Sequence, residues 1–121
     1  MAAQWSLEEE NLLANMFIEV SEDADHTSPT SLWDEVTRKF NDESDGVNRT
    51  KHSITGKWTR MSYECARFDD IYLALQRTGV AGDRLAMAMT VFKERTHGRN
   101  FQYMQPWFIL RNTPHWNRRD N

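Results

Sequence analysis

The sequence predicts an all-α fold of four to five helices: a three-helix core with a long third helix, and one or two C-terminal helices packed on it. Three observations predict it. Apolar residues recur at helical spacing, and strand-like alternation persists nowhere. Ile54, Trp58, Met61, Cys65, Phe68, Tyr72 and Leu75 follow at intervals of 4, 3, 4, 3, 4 and 3, one apolar seam over more than five helical turns. Glycines and polar runs fall between the periodic stretches: the run SEDADHTSPTS (21–31), then Gly46, Gly79 and Gly98.

The first helix opens on a capping box, Ser6 with Glu9 three residues later. Leu12, Leu13, Met16, Phe17 and Val20 form its apolar stripe, and the acids Glu8, Glu9 and Glu10 suit the positive end of the helix dipole. After the loop at 21–31, Thr30 or Ser31 is expected to cap a second helix that turns Leu32, Trp33, Val36 and Phe40 to one side. The run NDESDGVN (41–48) reads as a turn. The third helix is expected from Thr50 to about Arg77 and to end near Gly79. Cys65 lies on its seam and reads as a small buried hydrophobe rather than a nucleophile.

A fourth helix fits Asp83 to about Thr96, with Leu85, Met89 and Phe92 inward and Gly98 ending it. Met87 and Met89 read as packing residues. The last segment carries Phe101, Trp107, Ile109 and Leu110, with Pro106 beginning or kinking its helix. Trp107 and Trp116 are expected to dock this extension, and 117–121 reads as a frayed tail. The division is one domain over 1–121: a three-helix core at 5–78, a helical extension at 79–116 and a tail at 117–121.

Composition agrees with one globular domain: 121 residues, 39% hydrophobic, with five tryptophans to build a core. A single cysteine excludes a disulfide framework within the chain. The start MAAQWSLEEE has no apolar signal core, and no apolar run is long enough to cross a bilayer. The Asn48-Arg49-Thr50 glycosylation pattern therefore reads as chance, and a soluble intracellular protein is expected.

Charge is unevenly distributed. Residues 1–45 hold 12 Asp and Glu against 2 Lys and Arg; residues 46–121 hold 6 against 13. The acidic part suits basic proteins or peptides and the basic part suits polyanions. Within the basic part, NRTKHSITGKWTRM (48–61) contains Arg49, Lys51, His52, Lys57 and Arg60 with no acid.

No catalytic arrangement is evident. His26, His52, His97 and His115 have no zinc-ligand spacing to one another or to Cys65, and phosphate-loop, nucleophile-elbow and HExxH patterns are absent. The expectation is a protein that is not an enzyme, with no metal and no cofactor.

Trp5, Trp33 and Trp58 are expected one on each of the first three helices, at spacings of 28 and 25. With WSLEEENLL, LWDEVTRKF and NRTKHSITGKW around them, the pattern resembles the Myb/SANT family and its plant trihelix relatives. Later elements narrow the resemblance: His97-Gly98-Arg99-Asn100-Phe101, Trp107 to Arg111, and Pro114-His115-Trp116. In this order they resemble the Myb-like proteins related to Harbinger-type transposons, whose plant relatives are associated with no-apical-meristem proteins. The resemblance spans residues 5–116. It implies a Myb/trihelix-like helix-turn-helix core and nuclear, sequence-preferring binding of double-stranded DNA. It also implies transcription regulation or a transposon-derived role, with recruitment of a nuclear partner such as a transposase-like nuclease. It leaves open whether the chain is whole or a domain of a longer protein.

The core is then expected at Trp5, Trp33, Ile54, Trp58, Met61, Phe68 and Trp107. Opposite the seam of the third helix, at about 100° per residue, lie Arg49, His52, Gly56, Thr59, Arg60 and Tyr63, flanked by Ser53, Thr55 and Lys57. A recognition helix presents its start to the major groove. Arg60 suits a guanine edge or a phosphate, and Lys51 and Lys57 suit phosphates. The resemblance carries base reading to Thr55, Gly56, Thr59 and Arg60. The family often has Lys and Asn where this chain has Thr and Gly, which implies help from a dimer, a second DNA-binding partner or shape readout. Gly56 admits two readings, close approach of DNA to the backbone or relief of crowding between helices. The alternative function is that of SANT-like interaction modules: docking a basic or apolar protein partner through the first and fourth helices. An acidic N-terminal segment folded over the third helix would favour that alternative.

Overall fold

The computed structural model describes residues 4–23, 28–79, 81–113 and 116. The expected loop positions 24–27, with His26, and the tail 117–121 lie outside the described residues. Among the described residues the protein is all-helical, in the order α1 (Leu7–Ser21), α2 (Pro29–Glu43), α3 (Lys51–Arg77), α4 (Arg84–Arg95) and α5 (Met104–Leu110).

The helix starts follow from local chemistry. The Ser6 hydroxyl accepts from the Glu9 amide, and the Glu9 carboxylate accepts from the Ser6 amide. The Thr50 and Asp83 side chains cap α3 and α4 by accepting from the Ser53 and Ala86 amides, without a return bond. α2 starts earlier than the sequence suggested. Ser28, not Thr30 or Ser31, is its cap, and Pro29 takes the first helical position, where its missing N–H leaves no bond unmade. α2 also runs on to Glu43, which shortens the expected turn at 41–48. Pro106 sits in the first turn of α5, where it is tolerated for the reason given for Pro29.

α3 is the axis of the fold. Its 27 residues extend about 40 Å at 1.5 Å per residue, and Ile54, Met61, Cys65 and Phe68 are fully buried along its seam. α1 and α2 pack together and α2 against α3; α4 packs on α3, and α5 lies between α1 and α3. A single buried cluster draws from all five helices and from the segment joining α4 to α5. Phe68 is its centre, stacked on Phe101 at 4.2 Å and edge-on to Trp107 at 4.9 Å. The buried Trp107 indole N–H donates to Asp69 at 2.9 Å, which explains why α3 carries an acid that is only 4% exposed.

Two expectations about packing are corrected. Met89 is 41% exposed, because the inward stripe of α4 runs through Leu85, Ala88 and Phe92, three and four residues apart. The expectation of one tryptophan on each of the first three helices fails at Trp5. Trp5 precedes α1, at the position before its cap, and lies against Phe40 at 5.3 Å. Trp33 and Trp58 meet elsewhere, 5.9 Å apart, with Phe17 stacked on Trp58 at 4.0 Å. All three tryptophans are half-buried rims of the core rather than its centre.

Candidate nucleic-acid interface

The first turns of α3 carry the site residues expected from the sequence, and the structure sorts them into two groups. His52, Gly56, Thr59 and Arg60 are exposed, with Tyr63 beyond them at 62% exposure. The spacing of His52, Gly56 and Arg60 is four, so they form one stripe along the helix. A shallow cavity of about 290 Å³ lies along it, between Trp5, His52, Gly56 and Arg60. Arg60 has no ion pair among the described residues.

Arg49 and Lys57, expected to contact DNA, belong to the second group: both are held by acids of α1. The Arg49 Nε donates to Glu9 Oε2 at 2.7 Å and its Nη2 to Oε1 at 3.1 Å; the side chain is 7% exposed and its guanidinium lies 4.2 Å from the Trp5 ring centroid. A further bond from Nη2 reaches the Gln4 carbonyl. Lys57 pairs with Glu10 at 2.8 Å, both side chains nearly buried, and its ammonium sits 4.9 Å from the Tyr103 ring centroid. Lys57 therefore joins the first turn of α1 to α3, and Arg49 joins it to the residue before the α3 cap. The guanidinium beside Glu9 holds that carboxyl below its ordinary value, against burial, which works the other way.

Lys51 is intermediate. It pairs with Asp34 at 2.8 Å, but the two side chains are 41% and 63% exposed, so the pair is readily exchanged for another anion. Thr55 does not offer its hydroxyl outward, since it donates to the Lys51 and His52 carbonyls. Thr59 likewise donates to the Thr55 carbonyl at 2.9 Å. Gly56 does not relieve crowding: a Cβ built there meets no atom within 4 Å.

The stripe has different borders on its two sides. On one side is an apolar groove of about 490 Å³ lined by Phe17, Trp58, Tyr63, Ala66 and Trp116. On the other is the segment joining α4 to α5. His97 and Gly98 take left-handed backbone at φ 58° and 99°, turning the chain back along α3. Phe101 and Tyr103 then face inward and are buried, while Arg99, Asn100 and Gln102 are exposed. Gln102 shares a cleft with Arg60, and Arg99 donates to Glu64 at 2.5 Å. The sequence reading did not assign these polar residues to the interface. The Arg99 partner on α3, Glu64, lies 35 residues away, beyond the reach of any periodicity argument.

Fold and surface define a small all-helical module whose longest helix presents one open stripe, without an acid from Lys51 to Tyr63. Among the described residues no group of three or more His, Cys, Asp or Glu is placed to hold a metal. No protein-family model, curated protein or solved structure matches the chain.

Proposed function

We propose that this chain is a DNA-binding module of the Myb/SANT-like, trihelix-like kind, acting in the nucleus without enzymatic chemistry. It engages double-stranded DNA through the start of α3. Its role is that of a transcription factor or a transposon-derived factor that recruits a second nuclear protein such as a transposase-like nuclease. Gly56 is the observation that carries this reading. A glycine inside a helix costs about 1 kcal/mol relative to alanine. Among the described residues nothing lies within 4 Å of a Cβ built at Gly56. Close approach of an outside backbone gives it a use, and its neighbours on the stripe, His52 and Arg60, suit an anionic one.

Electrostatics limits the strength of the contact. With Arg49 and Lys57 held by Glu9 and Glu10, two full cations, Lys51 and Arg60, remain for phosphates on this face. Two phosphate contacts correspond to a slope of about −2 in log affinity against log salt. The test is fluorescence anisotropy of a random-sequence duplex titrated at several salt concentrations, with Lys51→Glu/Arg60→Glu beside the wild type. This pair is preferable to one that alters Lys57, where a new carboxylate would sit beside Glu10 and disturb the fold. Loss of binding in the folded variant supports the reading, and unchanged affinity rejects it.

One observation favours the second reading, a protein-interaction module with little DNA binding. The acidic start of α1 pairs with Lys57 of α3 and with Arg49 just before the α3 cap. Glu8, Glu43 and Asp45 meanwhile line an open cleft of about 460 Å³ suited to a basic partner. That complex would leave the α3 stripe unoccupied, and Lys51→Glu/Arg60→Glu would not weaken it.

A further inference from the structure

The start of α3 is poorly equipped to distinguish one base pair from another. Direct readout needs free donors and acceptors on side chains that reach base edges. Thr55 and Thr59 have turned their hydroxyls to their own helix, and Gly56 has no side chain. Of the residues expected to read bases, Arg60 alone keeps a side chain turned outward, with His52 beside it, so the face grips a backbone and has few groups with which to read sequence.

The segment 99–103 adds exposed side-chain amides, which the start of α3 lacks. It is held in a fixed line beside the helix. The buried Thr96 hydroxyl lies within hydrogen-bond distance of the Phe92 and Arg99 carbonyls, at 2.8 and 3.0 Å, and its one proton can be donated to either. Phe101 is stacked parallel on Phe68, with planes 3° apart, and the Tyr103 ring lies over Lys57. Between these buried anchors, Asn100 and Gln102 are exposed, and Gln102 borders the same cleft as Arg60. Arg99 is positioned by Glu64 yet remains 57% exposed. Arg67 lies 3.9 Å from the other oxygen of Glu64, so one buried carboxylate serves two guanidiniums and this edge keeps a net positive charge.

We propose that the α4–α5 segment is the base-reading edge of the interface, with Gln102 and Asn100 as specificity-determining residues and Arg99 beside them. α3 supplies the grip. The proposal rests on the duplex-DNA reading above. A side-chain amide matches the paired acceptor and donor of adenine in the major groove, and a guanidinium matches guanine or a phosphate. Because Phe101 and Tyr103 fix the segment, these side chains sit on a rigid rail rather than on a loop that must order on binding.

The experiment is selection from a pool of randomised duplexes with the wild-type chain, followed by anisotropy on the enriched and the random duplex. It is repeated with Asn100→Ala/Gln102→Ala, whose exposed side chains leave the core intact, as circular dichroism will verify. The wild type is expected to prefer the enriched site. The variant is expected to bind random duplex within about twofold of wild type while its preference falls by about tenfold or more, tenfold being the scale of a single lost amide–base pair. An unchanged preference in the variant overturns the proposal. An equal loss on both duplexes does so too, since it marks the residues as general contacts. A wild type that binds random duplex but enriches no site overturns the reading edge and leaves the DNA reading standing. A wild type that binds no duplex overturns both.

Discussion

Glu9 holds Arg49 with both carboxylate oxygens, at 2.7 and 3.1 Å, while the same carboxylate caps the first turn of its own helix through the Ser6 amide. One side chain thus closes α1 and ties it to the residue that precedes the α3 cap. Glu9→Gln is expected to destabilise the fold by about 1–3 kcal/mol, the scale for leaving a charged, largely buried hydrogen-bonding group short of its partner. The Arg49 guanidinium holds the Glu9 carboxyl below its ordinary value, so its contribution is fully present at neutral pH and is lost as pH falls through the depressed value. Urea denaturation of wild type and Glu9→Gln should therefore show a gap at pH 7 that narrows below the ordinary carboxylate range. A gap that does not change with pH would contradict this.

Glu10 restrains Lys57 in a similar way, and the consequence falls on binding. Glu10→Gln frees one cation at the edge of the α3 stripe. Duplex affinity should rise, and the salt slope should steepen by about 0.9 for the added phosphate contact. Anisotropy across a salt series measures both. Equal slopes for wild type and variant would place Lys57 outside the interface even when released.

Gly56→Ala separates folding from binding. The added methyl meets no atom within 4 Å, so the variant should be more stable by about 1 kcal/mol, read as a higher thermal midpoint. The same methyl should weaken duplex binding if a backbone approaches there. A variant that is stabilised and binds equally well would remove the argument from Gly56.

Asp69 is expected to matter for folding alone. Its carboxylate accepts from the Trp107 indole inside the core. Asp69→Ala should cost about 1–3 kcal/mol and shift Trp107 emission, with duplex affinity unchanged in the fraction that remains folded. Chemical denaturation followed by tryptophan fluorescence checks this.

The helical architecture was readable because it is written in local periodicity. The 4-3-4-3 seam of α3, the Ser6–Glu9 capping box and the Asp83 cap all specify backbone within a few residues. The start of α2 was missed by two residues because Thr30 and Ser31 are good capping types, and only the position of Pro29 argues for Ser28. The inward face of α4 was misjudged at Met89 because a small residue, Ala88, occupies the buried position and an apolar scale ranks methionine above it. The site was half readable. Helical geometry placed His52, Gly56 and Arg60 on one open stripe. It had no means of seeing that Arg49 and Lys57, on the basic stretch, are claimed by Glu9 and Glu10, 40 or more residues away. Nor did it place Gln102 beside Arg60, which depends on the turn at His97 and Gly98 and on the Phe101–Phe68 stack.

Backbone amide chemical shifts recorded while duplex DNA is added test the central claim most directly. Signals from His52, Gly56, Thr59, Arg60 and Tyr63 should move together and saturate, and those around Glu8, Glu43 and Asp45 should stay in place. Perturbations confined to that acidic cleft, or none at all at low salt, would contradict DNA binding through α3.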